Sequence, residues 1–368
     1  MKLVCEGLDL SDAVLKVIKA TAVRTTNPIL EGIKLKAAED TLTLSATDLD
    51  ISIEKTIPAD VKVEGEVVVP GKFFAEFVKK LAGEQIELSL NQNNTLKIKY
   101  TDSEGFLQVM PAADFPIIKS FDNGEYFCIS KADLRDSINK TIFAVALDDA
   151  RPILKGCKFE IEGNDLTVVA LDGFRVAQVK HKLISSSANM NFVVPGRCLA
   201  EIGKLLDGED EELKIYVSPN YIMVNVGSTK VITRKIEGEF INYKSVLNAG
   251  HTTSVVINKK QLEYGLERAS LLARQTANNF VKFDIKDKLI TITSSSDIGN
   301  VTENITVALE GKDLTIAFNA RYISDCLRNI DEEYIKMQFE SAIYPCTITS
   351  PDNDSFVFVV FPVRLVTD

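Results

Sequence analysis

Tryptophan is absent from the 368 residues and histidine occurs twice, at His181 and His251. A His-based triad or metal centre would have to use one of these. Neither has neighbouring ligands at a helical spacing, so both read as exposed loop residues. The six cysteines (Cys5, Cys128, Cys157, Cys198, Cys326, Cys346) are scattered singly with no CxxC pair, which excludes a zinc ribbon and argues against a disulfide framework. Neither GxxxxGK[ST], GxGxxG nor GxSxG occurs, so phosphate-cradling and nucleophile-elbow loops are missing, and no cofactor or metal is expected. The apolar run at 356–363 suits one buried strand and is less than half of the ~20 residues that cross a bilayer. Met1-Lys2-Leu3 leads into Cys5, Glu6 and Asp9 in place of an apolar segment. No secretory signal is expected, and the chain reads as soluble and cytosolic.

What is present is a chain 45% apolar and 26% charged, too apolar for disorder and too charged for a membrane protein. Its length exceeds a usual single core, so two or three domains are expected. The net charge of −10 argues against nucleic acid if the charge is evenly spread. A total can conceal segregation, however.

The sequence repeats itself. Pro28-Ile-Leu-Glu-Gly-Ile-Lys-Leu35 returns as Pro152-Ile-Leu-Lys-Gly-Cys-Lys-Phe159, 124 positions later. Leu42-Thr-Leu-Ser-Ala-Thr-Asp48 recurs as Leu166-Thr-Val-Val-Ala-Leu-Asp172, and more faintly as the segment ending at Asp297. A third block, Val67-Val-Val-Pro-Gly-Lys-Phe-Phe74, returns around Pro195 and again around Asn319. The order of blocks is kept, and the period is far longer than a solenoid repeat, so each unit is a domain. Residues 120–126 and 248–254 are polar or Gly-containing and read as linkers, giving domains at 1–121, 127–247 and 254–368.

Each unit opens with a 3.6-period segment (11–24, 131–143, 259–274) and carries a second after the Pro-Gly or Asn-Ala pair (72–81, 197–206, 320–328). In the first, Val14, Leu15, Ile18 and Ala22 are expected on one face. Alternating runs such as 86–90, 96–100, 222–226 and 290–293 predict half-buried antiparallel strands, with turns at 91–94 and 122–124. Two helices on antiparallel sheet in each unit make the class α+β. The six helical windows hold 17 Lys/Arg against 8 Asp/Glu, a net +9, which leaves −19 for the remainder. Helices sharing one surface would present it as basic within an acidic molecule, suited to gripping a polyanion by its backbone. No aromatics interleave the charges for base stacking. Asp48, Asp172 and Asp297 recur with the repeat, and Asp at a strand-end turn accounts for them.

Threefold repetition with basic helices and no catalytic set resembles the bacterial DNA polymerase III beta subunit, the sliding-clamp family, over the whole chain. The resemblance is carried by Thr47-Asp-Leu-Asp50, Pro111-Ala-Ala-Asp-Phe-Pro116, Ala170-Leu-Asp-Gly-Phe-Arg-Val-Ala177, Phe318-Asn-Ala-Arg-Tyr322 and Val359-Val-Phe-Pro-Val-Arg-Leu365. It implies three clamp domains per chain and a head-to-tail homodimer closed around duplex DNA, helices inward. It also implies a non-catalytic scaffold that tethers the replicative polymerase alpha subunit, the clamp loader and other partners with clamp-binding motifs. Retention by topology would let the electrostatic grip stay weak enough to slide. The family's DNA contacts fall on Arg24, Lys72, Arg151 and Arg197, with Lys140 and Lys204 as further pore-helix positions. Its ring seam falls on Phe106 and Leu107 against Leu271 and Leu272 of the second copy.

The same resemblance places a partner-peptide pocket on Leu154, Leu171, Gly173, Phe174, Arg175, Val176, Ile241 and Val246. The third domain adds Asn319, Tyr322, Ile343, Pro345, Val359, Val360, Phe361, Pro362, Val363, Arg364 and Leu365, with Arg175, Asn319 and Arg364 to orient a peptide backbone. Phe174 stands where an imidazole is often found. Ile241 and Ser245 replace a frequent proline and a frequent basic residue, and Val366-Thr367-Asp368 extends past the usual terminal leucine. These departures bear on affinity and peptide preference. Two other readings are a metal-dependent carboxylate enzyme using Asp48 and Asp172, and a clamp-like paralogue serving repair or drug tolerance. Turnover abolished by Asp172→Ala would favour the first of these.

Overall fold

The computed structural model describes residues 1–364 apart from 92, 119, 122, 149, 248, 249 and 276–278, and the chain divides into two compact units. Residues 1–129 with 204–235 form the first, and residues 130–203 with 236 onward form the second. The sequence-predicted turns at 91–94 and 122–124 and the linker at 248–254 include undescribed residues.

In the first unit the alternating runs become antiparallel strands. Lys2–Glu6 lies between Asp60–Val63 and Gln85–Asn91, and the latter continues through Thr95–Tyr100 to Ser103–Gln108. A larger sheet takes Glu125–Ser130, Glu212–Val217, Tyr221–Val226, Thr229–Arg234, Ile51–Pro58, Thr41–Thr47, Gly32–Ala38 and Gly65–Pro70 in that order. Its continuity depends on Thr229–Arg234 pairing with Ile51–Pro58, Val231 opposite Ile53, which joins strands of the first and second repeats.

Helix α1 (Gly7–Val17) begins four residues before the expected window and ends in a single tighter turn, Ile18–Ala20. Gly7 sets that start: a Cβ there would lie 2.1 Å from the Leu81 carbonyl oxygen, while its own N–H donates to the Glu84 carbonyl at 2.8 Å. The buried face is therefore Leu10, Ala13, Val14 and Val17, and Leu15, expected inside, is exposed. Helix α2 (Gly71–Val78) follows the strand Gly65–Pro70 and packs beside α1.

In the second unit nine strands run Met190–Pro195, Gly156–Glu162, Asp165–Leu171, Arg175–Lys182, Phe356–Val360, Cys346–Thr349, Tyr334–Phe339, Thr253–Asn258 and Ala308–Gly311. Here Arg175–Lys182 pairs with Phe356–Val360, Ala177 opposite Phe358, so the second and third repeats share a sheet. Four further strands run Gly299–Thr306, Leu289–Ser296, Phe280–Lys286 and Leu314–Asn319. Helices α3 (Lys131–Ile142) and α4 (Gly196–Gly203) pack as a pair, as do α6 (Lys259–Ala273) and α7 (Ala320–Leu327). A short α5 (Lys244–Leu247) lies between the two pairs in sequence. Leu262, Leu266, Ala269 and Ala273 of α6 recur on one turn-spaced face and are all buried. Ser130 and Asn258 cap α3 and α6, accepting from the N–H groups of Asp133 and Gln261 at 3.0 and 3.2 Å.

All six cysteines are buried and none is in a disulfide, and burial pushes the Cys5 and Cys157 thiols up to about 12. Because the thiolate is the reactive form, a disulfide-exchange reagent is expected to titrate no thiol in the native chain. All six should titrate in denaturant. Release of chromophore before unfolding would show that the cores open.

Candidate functional site

The second unit concentrates side chains at the shared strand pair. Asp172 closes the turn preceding Arg175–Lys182: its Oδ1 accepts from the N–H groups of Phe174 and Arg175 at 2.9 and 3.0 Å, and Gly173 takes φ +91°. Asp48 makes the same turn in the first repeat, accepting from Asp50 and Ile51 N–H, so these two recurrent aspartates are turn formers. Among the described residues no group of three His, Cys, Asp or Glu is placed to hold a metal.

The turn lifts Phe174 into solvent, 58% exposed, with its ring stacked on Tyr322 of α7 at 5.6 Å between centroids. Burial comes first in raising the Tyr322 phenol above its ordinary value, reinforced by the Asp172 carboxylate. The floor beside this wall is apolar: Leu154, Leu171, Val176 and Val359 form one buried cluster with Ala146 and Tyr243. Half-buried Val246 and Phe361 pack against it, together with Phe240 and Val357. Phe361 N–H donates to the Phe174 carbonyl at 2.9 Å and Val363 N–H to the Ala317 carbonyl at 2.8 Å, fixing the terminal segment against the turn and the third-repeat sheet. Ile241 and Ile343 are exposed, Pro345, Pro362 and Val363 half-buried, and Arg364 exposed. Leu365 lies outside the described residues.

Three of the expected pocket residues take other parts. Val360 is buried on the face of its strand opposite Val359, with Phe358 rather than with the floor. Asn319 caps α7, its Oδ1 accepting from Arg321 N–H at 3.0 Å. Arg175 is not available to a peptide, because its guanidinium is buried and engaged at all three nitrogens. Nε donates to Asp172 Oδ2 at 3.1 Å, NH1 to Asp325 Oδ2 at 2.6 Å and NH2 to the Phe143 carbonyl at 2.6 Å. Its central carbon lies 4.9 Å from the Tyr322 ring centroid and 5.4 Å from that of Phe143. Arg175 thus braces the wall from behind. The sequence reading missed Asp325 and Phe143 as its partners, since no motif links either residue to Arg175.

A second cluster corrects two more expectations. His181 lies in the strand Arg175–Lys182, not in an exposed loop, with its ring nitrogens 3.2 and 3.0 Å from Asp133 and Asp136 of α3. Lys140, expected to face DNA, is buried: its ammonium pairs with Asp136 at 2.8 Å and lies 5.5 Å from the Phe356 ring. Burial alone would raise the Asp136 carboxyl, but hydrogen bonds from His181 and Lys140, with the ammonium charge, bring it below its ordinary value. Glu160 behaves alike, with burial outweighed by Lys158 and the Tyr243 hydroxyl, which donates to it. Depressed folded-state values contribute stability that is complete above the unfolded carboxyl range of about 3.9–4.3. That contribution is lost as pH falls through the folded values. Thermal melts should hold steady down to about pH 5 and drop steeply below pH 4, less steeply in Asp136→Asn.

The remaining candidate cations are exposed. Arg24 sits in the bend after α1, Lys72 and Arg197 are the second residues of α2 and α4, Arg151 precedes the turn Pro152–Lys155, and Lys204 follows α4. Some helical cations are partly neutralised, as in Lys16–Asp12 and Arg268–Glu303. Phe106 is 59% exposed with Lys97 Nζ 5.7 Å from its ring centroid, and Leu107 is half-buried opposite Leu96. Leu271 of α6 is exposed and Leu272 half-buried.

The N-terminal, central and C-terminal domain families of the DNA polymerase III beta subunit match residues 1–119, 128–242 and 244–364 in succession. The chain belongs to the DNA polymerase III beta subunit family. A beta sliding clamp of Staphylococcus epidermidis is 33% identical over 357 residues, covering 94% of this chain and 95% of its own. The crystal structure of the DNA polymerase sliding clamp from Bacillus subtilis superposes with a TM-score of 0.96 at 32% identity, covering 99% of each chain. A Pseudomonas aeruginosa sliding clamp bound to griselimycin gives a TM-score of 0.93 at 26% identity, covering 99% of this chain and 100% of its own. As a beta subunit the chain is built from three tandem clamp domains and acts as a processivity clamp for DNA polymerase, an accessory factor rather than a catalyst. Among the described residues no helix of this beta subunit is long and apolar enough to cross a membrane.

Proposed function

We propose that the chain divides at 1–121, 127–247 and 254–368 and that two copies close head to tail around duplex DNA in the cytoplasm. Phe106 and Leu107 of one copy meet Leu271 and Leu272 of the other. Arg24, Lys72, Arg151, Arg197 and Lys204 touch phosphates without reading bases. Short peptides of the replicative polymerase alpha subunit, the clamp loader and other clamp-binding proteins dock beside Phe174.

The observation that carries this reading is the pairing of a continuous apolar floor with a wall of exposed Phe174 stacked on half-buried Tyr322. An aromatic stack with one ring exposed, beside a half-buried apolar rim, is the composition of a recognition hot spot. A related clamp accepts griselimycin, which supports a ligand-binding groove in this fold. Light scattering with small-angle X-ray scattering should give a particle of twice the 40.6 kDa chain mass with a central hole. Phe174→Ala should weaken a labelled alpha-subunit peptide roughly tenfold or more, the loss expected of a hot-spot aromatic. A compact monomer at all concentrations would overturn the ring. An unchanged peptide affinity would remove the pocket.

A further inference from the structure

Helices α6 and α7 enclose a cleft of about 660 Å³ lined by Arg274, Arg321 and Arg328, with Glu267, Asp325 and Leu271, the last also a residue of the proposed seam. Three guanidiniums thus face two carboxylates, and one of these is already engaged from behind. Asp325 receives buried Arg175 at 2.6 Å, whereas Arg321 Nε and Arg328 NH1 stand 3.7 and 3.5 Å from its oxygens. Those two separations exceed ordinary hydrogen-bond length, and both side chains are more than half exposed. The inner bond is tight and the outer pair is loose. Asp325 therefore stands between the cleft and the Arg175 brace of the peptide wall.

We propose that this cleft is a binding site for a phosphate-type oxyanion whose filling is coupled, through Asp325, to the peptide pocket. Guanidinium forks match phosphate oxygens in pairs. An anion seated among Arg274, Arg321 and Arg328 withdraws the two loose cations from Asp325 and leaves its charge to Arg175 alone. The brace behind Tyr322 then stiffens and peptide binds more tightly. By linkage, peptide tightens the anion by the same factor. The anion is either a backbone phosphate of a duplex or a free phosphate, which share this chemistry. The coupling rests on the pocket reading above.

The test uses the full-length chain, a fluorescent alpha-subunit peptide read by anisotropy, and calorimetry for anions, with chloride matching the ionic strength. Phosphate or a short duplex should tighten peptide roughly fivefold, at the low end of measured couplings. A shift with duplex alone identifies backbone phosphate, a shift with phosphate alone a free anion, and a shift with neither overturns the proposal. Asp325→Asn should move the two affinities in opposite directions: peptide weaker, anion tighter, because a carboxylate has left the cleft. Weakening of both would mark a folding defect and overturn the coupling. The Arg321→Ala/Arg328→Ala double variant should lose anion binding, with peptide affinity no longer responding to anion. If wild type bound no peptide while Asp325→Asn still tightened the anion, the pocket reading would fail and the anion site would stand.

Discussion

Arg175→Ala is expected to destabilise the second unit by about 3–5 kcal/mol, the range found when one partner of a buried ion pair is removed. The variant strands the carboxylates of Asp172 and Asp325 and the Phe143 carbonyl, all within 3.1 Å of the guanidinium. It also removes the plane on which the Tyr322 ring rests. Peptide affinity should fall with stability, although Arg175 touches no peptide. Arg175→Lys keeps the charge without the fork geometry and should recover only part of either loss. Differential scanning calorimetry would read the first effect and peptide anisotropy the second. A variant as stable as wild type would mean that water replaces the guanidinium without cost.

The second large effect is electrostatic. Replacing Arg24, Lys72 and Arg197 together by Ala should impair loading onto circular DNA and flatten the salt dependence on a short duplex. Each neutralised phosphate adds roughly 0.9 to the log–log slope, so the slope should fall by about one unit for every cation that no longer reaches the duplex. The fold should survive, since all three residues are exposed. Lys140→Ala is the informative contrast. Its ammonium is buried against Asp136 and Phe356, so the variant should lose stability while the salt slope stays at the wild-type value. A triple variant that still loads and slides would show that these cations do not hold DNA.

How much of this was legible in the sequence depended on whether the relevant physics was local. Pro70, Pro195 and Asn319 mark equivalent strand-to-helix transitions because each is the last residue of a strand that feeds a helix directly. Alternation along 96–100 and 290–293 reported buried faces for the same local reason. The start of α1 was hidden because Gly7 is dictated by the Leu81 and Glu84 carbonyls, more than 70 positions away. His181 and Lys140 were misplaced for a related reason. Periodicity counts a charge on a helix but cannot see that Asp136 meets an imidazole 45 residues later. In the pocket, a core aliphatic and a floor aliphatic look alike in sequence, and only what packs on each strand face separated Val359 from Val360. Asp325 is joined to Arg175 across 150 residues, with no motif to announce it.

The way strands are shared between repeats bears on how the molecule can be taken apart. The middle repeat lends Glu212–Val217, Tyr221–Val226 and Thr229–Arg234 to one compact unit, and α3, α4 and most of its other strands to the second. It is therefore a splice rather than a cassette. Swapping it between clamps would cut hydrogen-bonded ladders at Val231–Ile53 and at Ala177–Phe358. Chimeras should be cut instead so that each ladder keeps both of its parental strands, even where that boundary falls inside a repeat.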